Sequence, residues 1–116
     1  MSIPALALTL VVAALHVVFW VLESFLWTTP FGLKFFGQKR DAAEATKVLA
    51  QNQGFYNGGV AALLAWAALT GRADATAALL IFVVAMGIVG GVTAKRSILV
   101  VQALPAAIAL ALVWLA

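Results

Sequence analysis

The chain has 116 residues, of which 66% are hydrophobic and 9% are charged. Soluble domains are about 45–50% apolar and about 25% charged, and a short soluble chain cannot bury this much apolar surface. We therefore exclude a soluble globular fold, and also intrinsic disorder, which requires low hydrophobicity. Seven basic and four acidic residues give a net charge of +3. Because the basic residues are scattered, we expect basic loops of a membrane protein and no nucleic-acid partner.

The hydropathy pattern predicts a single domain over residues 1–116, an all-α integral membrane four-helix bundle. A spanning helix needs about 20 mostly apolar residues. On this criterion we expect helices at about residues 4–27, 42–69, 75–94 and 98–116, with a cytoplasmic loop at about 28–41.

Several residues mark the expected helix ends. Ser2 is a suitable N-cap for the first helix. The apolar stretch of this helix is longer than the apolar core of a signal peptide, which has roughly 7–15 residues, so we expect it to stay as a spanning helix. Thr70 and Gly71 are typical of a helix C-terminus, and Pro105 predicts a kink in the fourth helix.

The basic residues predict the orientation. With four spans, the first and third loops share one side of the membrane, and they carry Lys34, Lys39, Arg40, Lys95 and Arg96. The second loop carries only Arg72. Basic loops stay in the cytoplasm, so we expect both termini outside (N-out, C-out) and a multi-pass protein of the inner (cytoplasmic) membrane.

The polar side chains gather in the cytoplasmic half. On the first helix, steps of four, three and four residues place His16, Trp20, Glu23 and Trp27 on one face. A carboxylate in hydrocarbon costs about 2.5–3.5 kcal/mol on insertion scales, so Glu23 is expected to face the bundle and find a partner. The candidate partners are Asn52, Asn57, Lys95 and Arg96. Two interpretations stay open: a proton-carrying or cation-binding carboxylate, and a structural ion pair or amide hydrogen bond.

The most unusual segment runs from Gln51 to Gly58. Its consecutive amides are expensive to insert without partners, and Gly54 and Gly58, four residues apart, permit close helix approach. The amides either tie helices together or form part of a ligand pocket. For the second interpretation we assign a ligand-binding set: Glu23, Trp20, Trp27, Asn52, Tyr56, Asn57 and Gln102.

His16 and Glu23 are the candidate catalytic residues. They lie two turns apart, about 10 Å along the helix axis, so a proton relay between them would need a bridging water or ligand. The alternative is a neutral histidine that bonds across the bundle. We assign no cofactor and no metal, because the chain has no cysteine and only one histidine, although mixed ligation by His and Glu stays open.

A third feature is the pair Gly87 and Gly91, with Gly90 beside it. This spacing predicts a tightly packed face on the third helix. The face could pack within the bundle, form a dimer interface or act as a hinge. Because four helices enclose little interior of their own, we expect a homodimer through glycine faces.

The chain resembles a known family. The stretches that carry the resemblance are FLWTTP at 25–30, NQGFYNG at 52–58, KRSI at 95–98 and QALP at 102–105. They resemble the bacterial family of small four-helix membrane proteins catalogued as domain of unknown function 1304, and the resemblance covers almost the whole chain. It implies the fold and the membrane location, and it supplies no activity.

Three functions therefore remain open. The first is binding of a small amphipathic or cationic molecule. Transport of this molecule is also possible in principle and would require access from both sides of the membrane. Membrane lipid is the other expected partner. Aromatic rings beside a carboxylate suit cations. The second is a membrane-embedded acid–base enzyme, such as an isomerase of a lipid-soluble substrate. The third is a structural or assembly protein.

Overall fold

The computed structural model describes residues 1–115, and this part of the chain is all-helical, without strands. The all-α prediction is thus confirmed. The elements in chain order are α1 (Ile3–Ser24), α2 (Pro30–Phe36), α3 (Arg40–Leu69), α4 (Ala73–Thr93), a π-helical segment (Leu99–Ala103) and α5 (Leu104–Leu115).

Two helices, α1 and α4, are long and apolar enough to cross a membrane. They have 22 and 21 residues, and at about 1.5 Å per residue each is slightly over 30 Å long, the approximate thickness of the hydrocarbon layer. The 30-residue α3 is polar in its first half, and its apolar part, residues 54–69, is shorter than the usual span. The apolar helix Leu99–Leu115 is also shorter.

The region between α1 and α3 corrects two predicted boundaries. Helix α1 ends at Ser24, three residues before the predicted end, and the predicted loop at 28–41 contains α2. The hydroxyl of Thr29 accepts a hydrogen bond from the Gly32 N–H at 3.1 Å, and Pro30 occupies the first turn, where its missing N–H costs little. Gly37 ends α2 in a left-handed conformation with φ 65°.

The other predicted end signals agree with the structure. The Ala5 N–H donates to the Ser2 hydroxyl at 3.2 Å, so Ser2 caps α1. Helix α3 ends at Leu69, and Gly71 follows with φ 71°. Only a residue that tolerates positive φ can make this turn cheaply.

Near Pro105, the structure places a π-helical segment where a kink was expected. The Leu104 N–H bonds to the Leu99 carbonyl, one residue further back than in an α-helix. Helix α5 then begins at Leu104. The helix is continuous from Leu99 to Leu115, so Pro105 lies inside it, and the wider turn before Pro105 is the local distortion that accompanies its missing N–H.

The described chain forms two compact units. We call residues His16–Val60 the Glu23 unit and residues Met1–Leu15 with the chain from Ala61 onward the α4–α5 unit. In the α4–α5 unit, the glycines of α4 pack against the next helical segment. A Cβ at Gly87 would lie 2.7 Å from the Ala103 nitrogen, and one at Gly90 would lie 3.1 Å from Ile98 Cγ2. This glycine face is used within the chain, so it does not argue for the predicted homodimer.

Candidate functional site

The candidate site lies in the Glu23 unit, where the end of α1 meets α3. The Asn57 side-chain amide donates a hydrogen bond to the Glu23 carboxylate, with 2.5 Å between Nδ2 and Oε1. Both side chains are half-buried. Asn57 is one of the four partners predicted for Glu23, and this contact joins the last turn of α1 to the middle of α3.

Gly54 permits the two helices to approach closely at this point. A Cβ at Gly54 would collide with the Ser24 hydroxyl and would lie 3.1 Å from Glu23 Cβ. The Ser24 hydroxyl also donates to the Gln51 carbonyl oxygen at 2.9 Å. The predicted role of Gly54 in close helix approach is thus confirmed.

Trp20 packs against Gly58, one turn further along α3. A Cβ at Gly58 would lie 2.7–3.2 Å from carbon atoms of the indole ring. The ring centroids of Phe25 and Phe55 lie 6.1 and 5.4 Å from that of Trp20. Trp20 therefore belongs to an aromatic cluster at the α1–α3 contact.

Trp27 ties the segment after α1 to the beginning of α3. Its indole N–H donates to the Ala43 carbonyl at 3.1 Å and to the Thr46 hydroxyl at 3.2 Å. Its ring lies 4.8 Å from that of Phe36 on α2. These contacts fix the orientation of the indole.

A pocket of about 230 Å³ lies against the same helices, and Glu23 forms part of its wall. The pocket combines a carboxylate, an ammonium group, two hydroxyls, an amide and two aromatic rings. Its lining residues are Glu23, Ser24, Phe25, Trp27, Thr28, Lys47, Val48 and Gln51. We call this pocket the Glu23 pocket. The arrangement can hold a small molecule that carries both a charge and an apolar body.

Two of the predicted ligand-binding residues, Glu23 and Trp27, line this pocket, and Asn57 holds the Glu23 carboxylate. Asn52 and Tyr56 are exposed and do not line it. Each lies two residues from Gly54, which is about 200° around the helix, so they point to the opposite side of α3 from Glu23. Trp20 lies in the aromatic cluster described above.

The remaining predicted site residues lie elsewhere. Gln102 belongs to the π-helical segment of the α4–α5 unit. His16 is 1% exposed and packs edge-on against Phe19, with 5.4 Å between ring centroids. It does not line the Glu23 pocket. In residues 1–115, no three His, Cys, Asp or Glu side chains are grouped so that they could hold a metal ion.

Sequence reasoning missed the lining residues on α3. Lys47 and Gln51 precede Gly54 by seven and three residues, so they share its helix face. Lys47 is exposed, and its ammonium lies 3.1 Å from the Glu44 carboxylate, a pairing that solvent screens. The spacing to Gly54 is the signal in the sequence that indicates this face.

The comparisons with known proteins place the chain in a family. No curated protein and no solved structure matches it. The sequence matches the family described as protein of unknown function, DUF1304, over residues 10–114. The chain therefore belongs to the DUF1304 family.

Proposed function

We propose that this chain is a multi-pass protein of the bacterial inner membrane that binds a small amphipathic or cationic molecule in the Glu23 pocket. Two helices with the length and composition of spans support the membrane location. The proposed four-helix bundle adds crossings by the apolar part of α3 and by residues 98–115. The basic residues of the first and third loops favour termini outside and a pocket near the cytoplasmic surface.

The single observation that carries the binding proposal is the position of the Glu23 carboxylate. Asn57 fixes the orientation of this carboxylate through a hydrogen bond, and Glu23 lines the pocket together with Phe25 and Trp27. A carboxylate attracts a cation by charge, and aromatic ring faces add attraction through their quadrupole. The favoured ligand thus has an ammonium group and an apolar or aromatic body.

A thermal-shift experiment on the purified full chain in detergent tests this proposal. The probe is phenethylammonium, and 2-phenylethanol is its neutral counterpart of similar shape. At ten times its dissociation constant, a ligand that binds only the folded state adds about 1.4 kcal/mol of stability. We therefore expect phenethylammonium to raise the melting temperature by several degrees and 2-phenylethanol to leave it nearly unchanged.

The variant Glu23→Gln removes the charge but keeps the shape, and we expect it to abolish the shift. Asp41→Asn is the matched control, since Asp41 is an exposed carboxylate on α3 that does not line the pocket. It should keep the full shift. Equal shifts from the charged and neutral compounds, or an undiminished shift in Glu23→Gln, would refute the binding proposal.

One observation favours a structural role as the second candidate. Four hydrogen bonds in the Glu23 unit, made by the side chains of Asn57, Ser24 and Trp27, connect the region around the end of α1 to α3. If the protein binds no ligand, these hydrogen bonds serve only to hold the helices together. In that case no probe would shift the melting temperature, whereas loss of Asn57 would still lower it.

A further inference from the structure

Helix α2 has one face packed against the protein and one face exposed. On the packed face, a Cβ at Gly32 would collide with the Leu26 carbonyl oxygen, and Phe36 contacts Trp27. On the other face, Phe31 and Phe35 are 60% and 59% exposed. Their rings stack at an interplanar angle of 25°, with 6.0 Å between centroids. The Glu23 unit thus leaves a pair of aromatic rings uncovered.

A positive charge accompanies this exposed face. Phe31, Lys34 and Phe35 line a shallow depression of about 380 Å³, because positions i, i+3 and i+4 share one side of a helix. Residues 24–40 contain Lys34, Lys39 and Arg40 and no acidic residue. An occupant of this face must therefore be apolar at one end and anionic at the other.

The position of α2 along the chain brings this face close to a membrane surface. If α1 crosses the bilayer, as the proposed function requires, its 22 residues extend about 33 Å and end at the edge of the hydrocarbon layer. The linker 25–29 reaches at most about 18 Å. The linker is also folded back, because the Leu26 N–H donates to the Val21 carbonyl and the Thr29 N–H to the Leu26 carbonyl. Helix α2 therefore begins near that edge.

We propose that the exposed face of α2 binds anionic phospholipid at the membrane surface. Phe31 and Phe35 insert among the upper acyl chains, and the Lys34 ammonium contacts the headgroup phosphate, as long basic side chains do at interfaces. A second copy of the chain fits less well, because it would bring the same positive charges to the contact. This inference rests on the membrane location in the proposed function.

The chain has no cysteine, so a single-cysteine variant can be labelled without background. The full chain carrying Phe31→Cys with a bimane label is reconstituted in mixed vesicles in which either phosphatidylglycerol or phosphatidylcholine is brominated. Brominated lipid quenches a label only at short range. The reference is the same label in Phe82→Cys, at an exposed apolar position of α4.

We expect the label at position 31 to be quenched by lipid, with about a fivefold preference for phosphatidylglycerol, the factor expected for one basic residue near an anionic surface. Lys34→Gln should reduce the preference to nearly one, and Lys95→Gln should keep it. The label at position 82 should be quenched by both lipids without preference.

The failures of the two proposals are distinguishable. If only the label at 82 is quenched by lipid and the label at 31 is quenched by aqueous acrylamide, α2 lies in water and this inference falls alone. Equal quenching by both lipids at 31, or excimer formation by a pyrene label there (contact between two copies), also overturns it. If neither label is quenched by lipid, the membrane location itself falls.

Discussion

Replacing Gly58 by alanine tests the close contact between α1 and α3. The new Cβ would lie 2.7 Å from Trp20 Cδ2 and 2.9 Å from Cε3, closer than carbon atoms in contact, which prefer about 3.5–4.0 Å. The indole is rigid and also packs against Phe25 and Phe55. It cannot yield without disturbing its neighbours, so either the ring or the helix must move.

Gly59 provides a matched control one residue away. A Cβ at Gly59 would meet nothing within 4 Å. Alanine in place of glycine inside a helix gains about 0.5–1 kcal/mol at either position, whereas an overpacked methyl group costs about 1–3 kcal/mol. We therefore expect Gly59→Ala to stabilise by about 0.5–1 kcal/mol. Because both variants gain the same helix propensity, their free energies of unfolding should differ only by the cost of overpacking at position 58, about 1–3 kcal/mol.

The assay is equilibrium unfolding of the full chain in mixed micelles, followed by far-ultraviolet circular dichroism as the fraction of denaturing detergent rises. The wild-type chain, Gly58→Ala and Gly59→Ala are measured side by side. Equal free energies of unfolding for the two variants would show that the α1–α3 contact at Trp20 does not contribute to stability. A lower free energy for Gly59→Ala than for Gly58→Ala would contradict the packing argument outright.

Two further predictions concern hydrogen bonds. Asn57→Leu leaves the Glu23 carboxylate without its amide donor, and we expect the free energy of unfolding to fall by about 1.5–3 kcal/mol, the range for a hydrogen bond to a charged group. Asn52→Leu, at an exposed position, should change it by less than about 0.5 kcal/mol; equal losses would refute the assignment. Thr29→Ala removes the cap of α2 at a cost of about 1 kcal/mol. Amide hydrogen exchange in α2 should then speed up about fivefold, and unchanged exchange would show that the cap is not needed.

Helix ends were predictable where a local signal decides them. The Ser2 cap and the turn at Gly71 depend only on neighbouring residues, and both were predicted. The same kind of signal was present for α2, since Thr29, Pro30 and Gly37 are a cap, a first-turn proline and a left-handed stop. A loop is nevertheless the expected structure here, because a seven-residue helix is far shorter than a span and contains a glycine.

The Glu23–Asn57 contact was only partly predictable. A carboxylate on an apolar helix requires a polar partner, and that requirement limited the search to four residues. It could not choose among them, because the choice depends on which face of α3 meets α1. Helix periodicity fixes which residues share a face, but the rotation of one helix against another depends on packing.

Small residues, rather than amides, identify the face of α3 that meets α1. The buried positions Ala43, Ala50, Gly54 and Ala61 are separated by seven, four and seven residues, which is one face of a helix. Asn57 lies at the edge of that face and its amide therefore reaches Glu23, whereas Asn52 has the same chemistry on the opposite side. A bulky side chain at Gly54 would move α1 away and leave Asn57 beyond hydrogen-bond range of the carboxylate. The chemistry proposed for Glu23 thus depends on glycines that carry no functional group at all.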